Sequence, residues 1–340
     1  MALSIPSEQV REGLREAAPP LLDIDGLRVS FTKEGRKLPV LNGVSFTAQP
    51  GETVAVVGES GSGKSVTALA IMGLLGGGKV DGGAIRFGGT DLRELRPKQM
   101  RALRGRDIAM IFQDPLAALD PLFTIGYQVR EALRFGGYPK QNIRARAIEL
   151  LGAVGIPDPA QRESAYPHEL SGGQRQRVVI AIAIACEPKL IIADEPTTAL
   201  DATIEGQILE LIKTVQREVG SALLLITHDM SVVARMADRV LVMYSGKIVE
   251  EGPVREVLRE PRHPYTAALL AAVPRGLDRS QPVPTIPGSI PSLTETTVGC
   301  RFAPRCAHVM ELCRTEEPPS FPAGEARLSR CWLEDAGVQP

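Results

Sequence analysis

The sequence has no excess of charge of either sign. Its 340 residues carry 39 Lys and Arg against 40 Asp and Glu, a formal net charge of −1. A chain that follows a phosphate backbone needs a basic footprint, so this balance argues against nucleic acid as a partner. Long apolar runs are missing as well. The longest, Val178 to Cys186, spans nine residues, against ~20 for a membrane-spanning helix. The opening MALSIPSEQVREGLREAAPP carries Glu8, Arg11, Glu12, Arg15 and Glu16 where a signal peptide needs its apolar stretch. A chain that stays in the cytoplasm is therefore expected. No internal repeat and no low-complexity tract is present. Cysteine is scarce until the end: Cys186 stands alone, while Cys300, Cys306, Cys313 and Cys331 crowd the C-terminal part, together with 13 of the 27 prolines after residue 250. That part is built differently from the rest.

Residues 1–20 read as a tail closed by Pro19-Pro20. LDIDGLRVSF (22–31) and GVSFTA (43–48) are strand-like, with KEGRKLP between them as a turn. TVAVVG (53–58) is a continuous valine-rich run and predicts a buried strand. Lys64 to Leu75 has helical spacing and is expected to stop at Gly76-Gly77-Gly78. Residues 84–88 and 107–112 read as further strands. The stretch 115–185 is helical in pattern, with apolar positions three and four apart in TIGYQVREALRF and NIRARAIELLGAVG. LIIAD (190–194), ALLLIT (222–227) and RVLVMYSG (239–246) are again strands, and TIEGQILELIKTVQREV is a helix between the first two. Alternating strands and helices predict a mainly parallel α/β sheet.

Residues 58–65, GESGSGKS, match G-x-x-x-x-G-K-[ST] between a buried strand and a helix, the context that motif requires. Its glycines let successive N–H groups turn toward phosphate oxygens, and the helix N-terminus adds a favourable dipole. Lys64 would reach the β- and γ-phosphates, and the Ser65 hydroxyl would ligate Mg²⁺. In LIIADEP (190–196) a buried strand delivers Asp194 and Glu195 to the carboxyl edge of the sheet, where ligands bind in open α/β folds. Asp194 is the candidate Mg²⁺ partner and Glu195 the candidate general base for an attacking water. His228 closes another strand, in LLLITHD, and is placed near a γ-phosphate by the same logic.

LSGGQRQR (170–177) then resembles the signature sequence of ABC-type ATPases. The phosphate loop, Gln113 in IFQDP, the signature, LIIADEP, TALD (198–201) and His228 follow in that family's order. The resemblance covers about residues 21–260. It implies a RecA-like α/β core with an antiparallel β subdomain and an inserted helical subdomain at about 115–185. It also implies roles. Gly58, Ser60, Gly61, Ser62, Gly63, Lys64, Ser65 and Val66 would bind ATP, and Phe31 would stack on adenine. Gln113 would sense the γ-phosphate and Mg²⁺ and link to a membrane partner through the apolar stretch 116–126. Ser171, Gly172, Gly173 and Gln174 would grip the nucleotide held by a second ATPase subunit, Asp201 would lie at that dimer seam, and His228 would contact the γ-phosphate.

A narrower resemblance follows. RHPYTAALLAAVP (262–274) and GCRFAPRCAHVMELCRTEEPP are similar to the C-terminal extension of oligopeptide and dipeptide importer ATPases, a group that includes some nickel importers. It divides the chain into an ATPase domain at 21–262 and a small, irregular, cysteine-rich extension at 263–340. The function it implies is ATP hydrolysis driving peptide uptake at the cytoplasmic face of the membrane. The partners would be a second, related ATPase, two membrane-spanning permease subunits and an extracytoplasmic peptide-binding protein. A nickel or other solute importer is one alternative. A soluble ABC-type ATPase acting on DNA or ribosomes is another; the gap from 65 to 171 holds no sustained heptads and the chain has one cassette, which argue against it.

The cysteine spacing C-x5-C-x6-C-x17-C lacks both the short knuckles of zinc sites and the bacterial ferredoxin run. Three readings stand: a [4Fe–4S] cluster on all four thiolates, a structural Zn²⁺, or plain packing thiols. The shortage of large apolar residues in 275–340, with nine prolines, favours a metal staple. Cys186 is expected to be core. His263 and Tyr265 are expected to start a helix and pack the extension onto the core, without chemistry of their own.

Overall fold

A computed structural model describes residues 19–198, 200–273, 285–291 and 298–337. Residues 1–18 of the expected tail and Ala199 of TALD lie outside them. The chain forms two compact units, one of residues 1–47, 54–93 and 227–340, the other of 48–53 and 94–226. Its strands are β1 (Leu22–Lys33), β2 (Arg36–Ala48), β3 (Thr53–Val57), β4 (Gly78–Phe87), β5 (Thr90–Asp91), β6 (Ile108–Ile111), β7 (Leu190–Asp194), β8 (Ala222–Thr227), β9 (Arg239–Tyr244), β10 (Lys247–Pro253), β11 (Phe321–Pro322) and β12 (Leu328–Ser329).

The first unit holds a four-stranded sheet in the order β2-β1-β4-β5, with β1 and β4 antiparallel. The β1–β2 turn is tighter than expected. Only Glu34 (φ 52°) and Gly35 (φ 74°) form it, since two successive left-handed residues match strand twist and let β2 begin at Arg36. In the same unit β3 pairs in parallel with β9, in register Val54 to Arg239 through Val57 to Val242. β10 runs antiparallel to β9, β12 to β10 and β11 to β12. The cysteine-bearing extension is therefore not wholly irregular: its last strands lengthen this sheet through Glu250–Ser329 and Glu251–Leu328.

The second unit contains parallel β6, β7 and β8 and the helices Ile125–Phe135, Ile143–Ala153, Gly172–Ile184 and Ala202–Val219. β3, β6, β7 and β8 are buried along their length, as parallel strands covered on both faces must be.

One helix ends earlier than the pattern predicts. The helix after the phosphate loop runs Lys64–Ile71, not to Leu75. Gly73 adopts φ 60°, and the Leu74 N–H donates to Leu69 O at 2.8 Å, the closing bond of a Schellman-type stop. β4 then starts at Gly78, six residues before the expected strand. The signature helix spans Gly172–Ile184, so Cys186 lies beyond its end. Cys186 is half-buried rather than core, and its Sγ donates to Ala132 O at 3.4 Å.

Candidate functional site

The phosphate loop leaves the C-terminal end of β3 in the first unit. A Cβ on Gly58 would stand 2.1 Å from Met243 O, so only glycine passes there. Gly61 (φ 80°) and Gly63 (φ 106°) occupy the left-handed region that lets the chain curl back on itself. Gly63 is also the N-cap of the helix that begins at Lys64. Lys64 is 4% exposed. Its Nζ donates to Gly58 O at 2.8 Å and to Glu59 O at 3.0 Å, folding the cation over the loop. Ser62 is fully buried, and its Oγ has no hydrogen-bond partner among the described residues. Ser60 and Gly61 lie exposed on the loop, while Ser65 and Val66 are half-buried at the start of the helix.

Phe31 and His228 belong to the same unit. Phe31 sits in β1 opposite Gly78, and a Cβ on Gly78 would come within 2.7 Å of its ring. The ring is half-buried, with its Cζ and Cε1 the atoms nearest to Gly78. His228 follows β8 and is exposed; Asp229 beside it caps the helix Met230–Met236.

The carboxylates belong to the second unit. Asp194 ends β7 and is 6% exposed. Glu195 follows in the left-handed region at φ 45°, an arrangement that L side chains adopt only when the surroundings impose it. Its N–H donates to Ile226 O at 2.9 Å. Its Oε2 accepts from Gln113 Nε2 at 3.2 Å and from Thr198 Oγ1 at 3.0 Å. Gln113 and Glu195, 82 residues apart, are thus in direct contact.

The signature is a built helix start. Ser171 Oγ accepts from Gln174 N–H at 3.3 Å, and Gln174 Oε1 accepts from Ser171 N–H at 3.1 Å. This reciprocal capping box fixes the start of Gly172–Ile184, the positive end of its dipole. A Cβ on Gly173 would meet Ile204 Cγ2 at 2.7 Å, so glycine is needed for the contact with the helix Ala202–Val219. Asp201 caps that second helix, Oδ1 accepting from Thr203 N–H at 3.1 Å and Ile204 N–H at 3.0 Å.

In the extension all four cysteines line one apolar cavity, with Phe302, Met310 and Trp332 among its walls. All are free thiols. Burial pushes Cys300 up to about 11 and Cys331 up to about 12, and raises Cys306 as well. Among the described residues no three His, Cys, Asp or Glu side chains stand as close as a single metal ion requires.

Tyr265 and Arg305 of the C-terminal region reach the phosphate loop, whereas His263 keeps to the helix start expected of it. His263 is 2% exposed and caps the helix Pro264–Ala271, Nδ1 accepting from Tyr265 N–H at 3.0 Å. The fully buried Tyr265 offers its hydroxyl to Glu59 N–H at 2.9 Å. Arg305, which sequence reasoning missed, forms a fork with the Glu59 carboxylate. The only sequence signal for either contact is the position of Tyr265 and Arg305 inside the family-like C-terminal segments.

Comparison with known proteins follows the same division. The family described as ABC transporter matches residues 41–198, and the oligopeptide/dipeptide transporter C-terminal region matches residues 249–313. A putative peptide import ATP-binding protein of Brucella abortus is 49% identical over 333 residues, covering 93% of this chain and 98% of the relative. The dipeptide transport ATP-binding protein DppD of Escherichia coli is 47% identical over 321 residues, with the same coverage. Among solved structures, the ATP-binding cassette MJ0796, a dimer bound to ADP and Pi, matches with a TM-score of 0.62 and 29% identity over 69% of this chain and 99% of that one. The structure of cbiO1 from Clostridium perfringens matches with a TM-score of 0.62 and 29% identity over 72% of this chain and 92% of that one.

Proposed function

This chain belongs to the ABC transporter ATP-binding proteins, and on that premise we propose that it is the ATP-hydrolysing subunit of an importer for di- and oligopeptides. The carrying observation is the near-complete match to a dipeptide transport ATP-binding protein, C-terminal region included. Among the described residues no helix is long and apolar enough to cross a membrane. In this reading the permease subunits are separate chains and this one is held at the cytoplasmic face, as the match to a dipeptide transport ATP-binding protein implies. Phe112, Leu116, Leu122 and Phe123, which follow or precede Gln113 closely in sequence, are exposed apolar side chains that would meet the permease subunits.

In this reading the loop 58–65 wraps the phosphates of ATP, with Lys64 swinging from its carbonyl partners onto them and Phe31 under the adenine. Glu195 accepts the proton of the attacking water. Its strained backbone and its two hydrogen bonds fix where that carboxylate points. Gln113, already on Glu195, orients the water or senses the γ-phosphate, and His228 contacts that phosphate. Ser65 and Asp194 supply hydroxyl and carboxylate oxygens, the hard donors that Mg²⁺ takes. Mg²⁺ would neutralise charge on the phosphates. Ser171, Gly172, Gly173 and Gln174 present their helix end to the nucleotide of a second ATPase, a related chain, with Asp201 at the seam.

The four cysteines fit a [4Fe–4S] cluster better than Zn²⁺. Four thiols facing one cavity are the donor set of a cubane. Among the described residues no group of three or more His, Cys, Asp or Glu side chains is placed to hold a metal ion, so the cysteines would have to move to take up either group. A bound cluster would supply a covalent staple to a segment with little core of its own.

Co-purification from native membranes tests the assignment. Two permease subunits and a second ATPase are expected in the complex. Recovery with DNA or ribosomes, and ATPase activity stimulated by them, would overturn it.

A further inference from the structure

Glu59 carries the wrong charge for its place. It lies in the loop 58–65, where a carboxylate repels a triphosphate. Arg305 meets it from the C-terminal region, 246 residues away, with Nη1 donating to Oε2 at 2.7 Å and Nη2 to Oε1 at 3.0 Å. This is a bidentate guanidinium–carboxylate fork, the strongest geometry for such a pair. The Arg305 side chain is 5% exposed and that of Glu59 25%.

The fork is held from behind. Arg305 Nε donates to Pro287 O at 2.8 Å, and the guanidinium lies 5.8 Å from the centre of the Tyr244 ring. Tyr244, Tyr265 and Phe302 pack against one another with centroids 4.7 to 5.4 Å apart. The same cluster presents the Tyr265 hydroxyl to Glu59 N–H. Glu59 is therefore tied by its side chain, by its N–H and, through Lys64 Nζ, by its carbonyl.

We propose that Arg305 and Tyr265 are positioning residues for ATP, which act through Glu59 to neutralise and fix the phosphate loop, so that the C-terminal region sets nucleotide affinity. Both residues hold Glu59. Arg305 cancels the repulsion that Glu59 would exert, and both ties remove loop freedom before binding rather than during it. The inference rests on the reading of 58–65 as the phosphate site.

The test is binding of mant-ATP with Mg²⁺ to the full-length chain. Arg305→Met should weaken binding about tenfold, equivalent to about 1.4 kcal/mol. Adding Glu59→Gln to Arg305→Met should restore binding to within about threefold of the original, because the unpaired negative charge is gone. Arg305→Lys, which keeps charge but loses the fork, should fall between. In the assembled transporter KM for ATP should rise with kcat unchanged. Unchanged binding in Arg305→Met overturns the proposal, and so does a double variant as weak as Arg305→Met alone. If Arg305→Met does not fold, Arg305→Lys and Tyr265→Phe decide, the latter removing one hydroxyl; original affinity in both contradicts the proposal. Lys64→Ala separates the premise: undiminished mant-ATP binding there refutes the phosphate site itself, whereas its loss beside an unaffected Arg305→Met refutes only the positioning role.

Discussion

Gln113 Nε2 lies 3.2 Å from Glu195 Oε2, joining the second residue after β6 to the first residue after β7. Thr198 Oγ1 donates to the same oxygen at 3.0 Å. These two contacts fix where the carboxylate points. Glu195→Gln removes the proton acceptor but preserves shape. Turnover should fall by at least ~10², the lower end for loss of a general base, while ATP binding persists and closed ATPase dimers accumulate. ATP turnover and size-exclusion chromatography check this; normal hydrolysis by Glu195→Gln would remove Glu195 from the role.

Lys64→Ala should act at the other end of the reaction. Its Nζ now bridges Gly58 O and Glu59 O, and in the proposed function it moves onto the phosphates, so removing it would delete that proposed ligand. Nucleotide affinity should drop by at least about tenfold, the equivalent of one charge-assisted hydrogen bond. Equilibrium nucleotide titration gives the readout.

His263 predicts a pH dependence. Burial lowers it from 6.5 to about 3. The folded chain keeps it neutral where the unfolded chain takes up a proton. The stability it contributes is therefore present above pH 6.5 and is lost as pH falls from 6.5 toward 3. His263→Asn still caps Pro264–Ala271 but does not titrate. Urea midpoints should fall less steeply with acid in His263→Asn than in the original chain. His263→Ala should cost on the order of 2 kcal/mol at pH 7, from the lost cap and the cavity. Equal acid slopes for the original chain and His263→Asn would contradict the assignment.

The thiols allow a sharper chemical test. Burial disfavours the thiolate and pushes Cys300 up to about 11 and Cys331 up to about 12. At pH 7 both should alkylate slowly with iodoacetamide in the folded, metal-free chain and fast in urea. Anaerobically purified chain should carry iron and acid-labile sulfide in equal amounts. Neither iron nor zinc in such a sample would leave the cysteines as packing thiols.

The parts legible in the sequence were those set by local chemistry. The valine run of β3, the strand LIIAD ending in two carboxylates, and the Ser171–Gln174 pair at a helix start each carry their own signal within a few residues. Boundaries shifted where one glycine outweighed a hydrophobic pattern, as at Gly73 and Gly35. The long-range contacts were not legible. Nothing near Glu59 announces Arg305, and nothing near Glu250 announces Arg327, whose Nη2 donates to its Oε1 at 2.6 Å in a buried pair. Such pairs exist only once the fold brings distant segments together.

The most direct test of the central claim is ATP turnover by the transporter reassembled in lipid nanodiscs, with the peptide-binding protein added empty or loaded. The account predicts that a di- or oligopeptide-loaded binding protein raises turnover and that Glu195→Gln abolishes the rise. Turnover indifferent to peptide, or raised instead by nickel-loaded binding protein or by DNA, would contradict it.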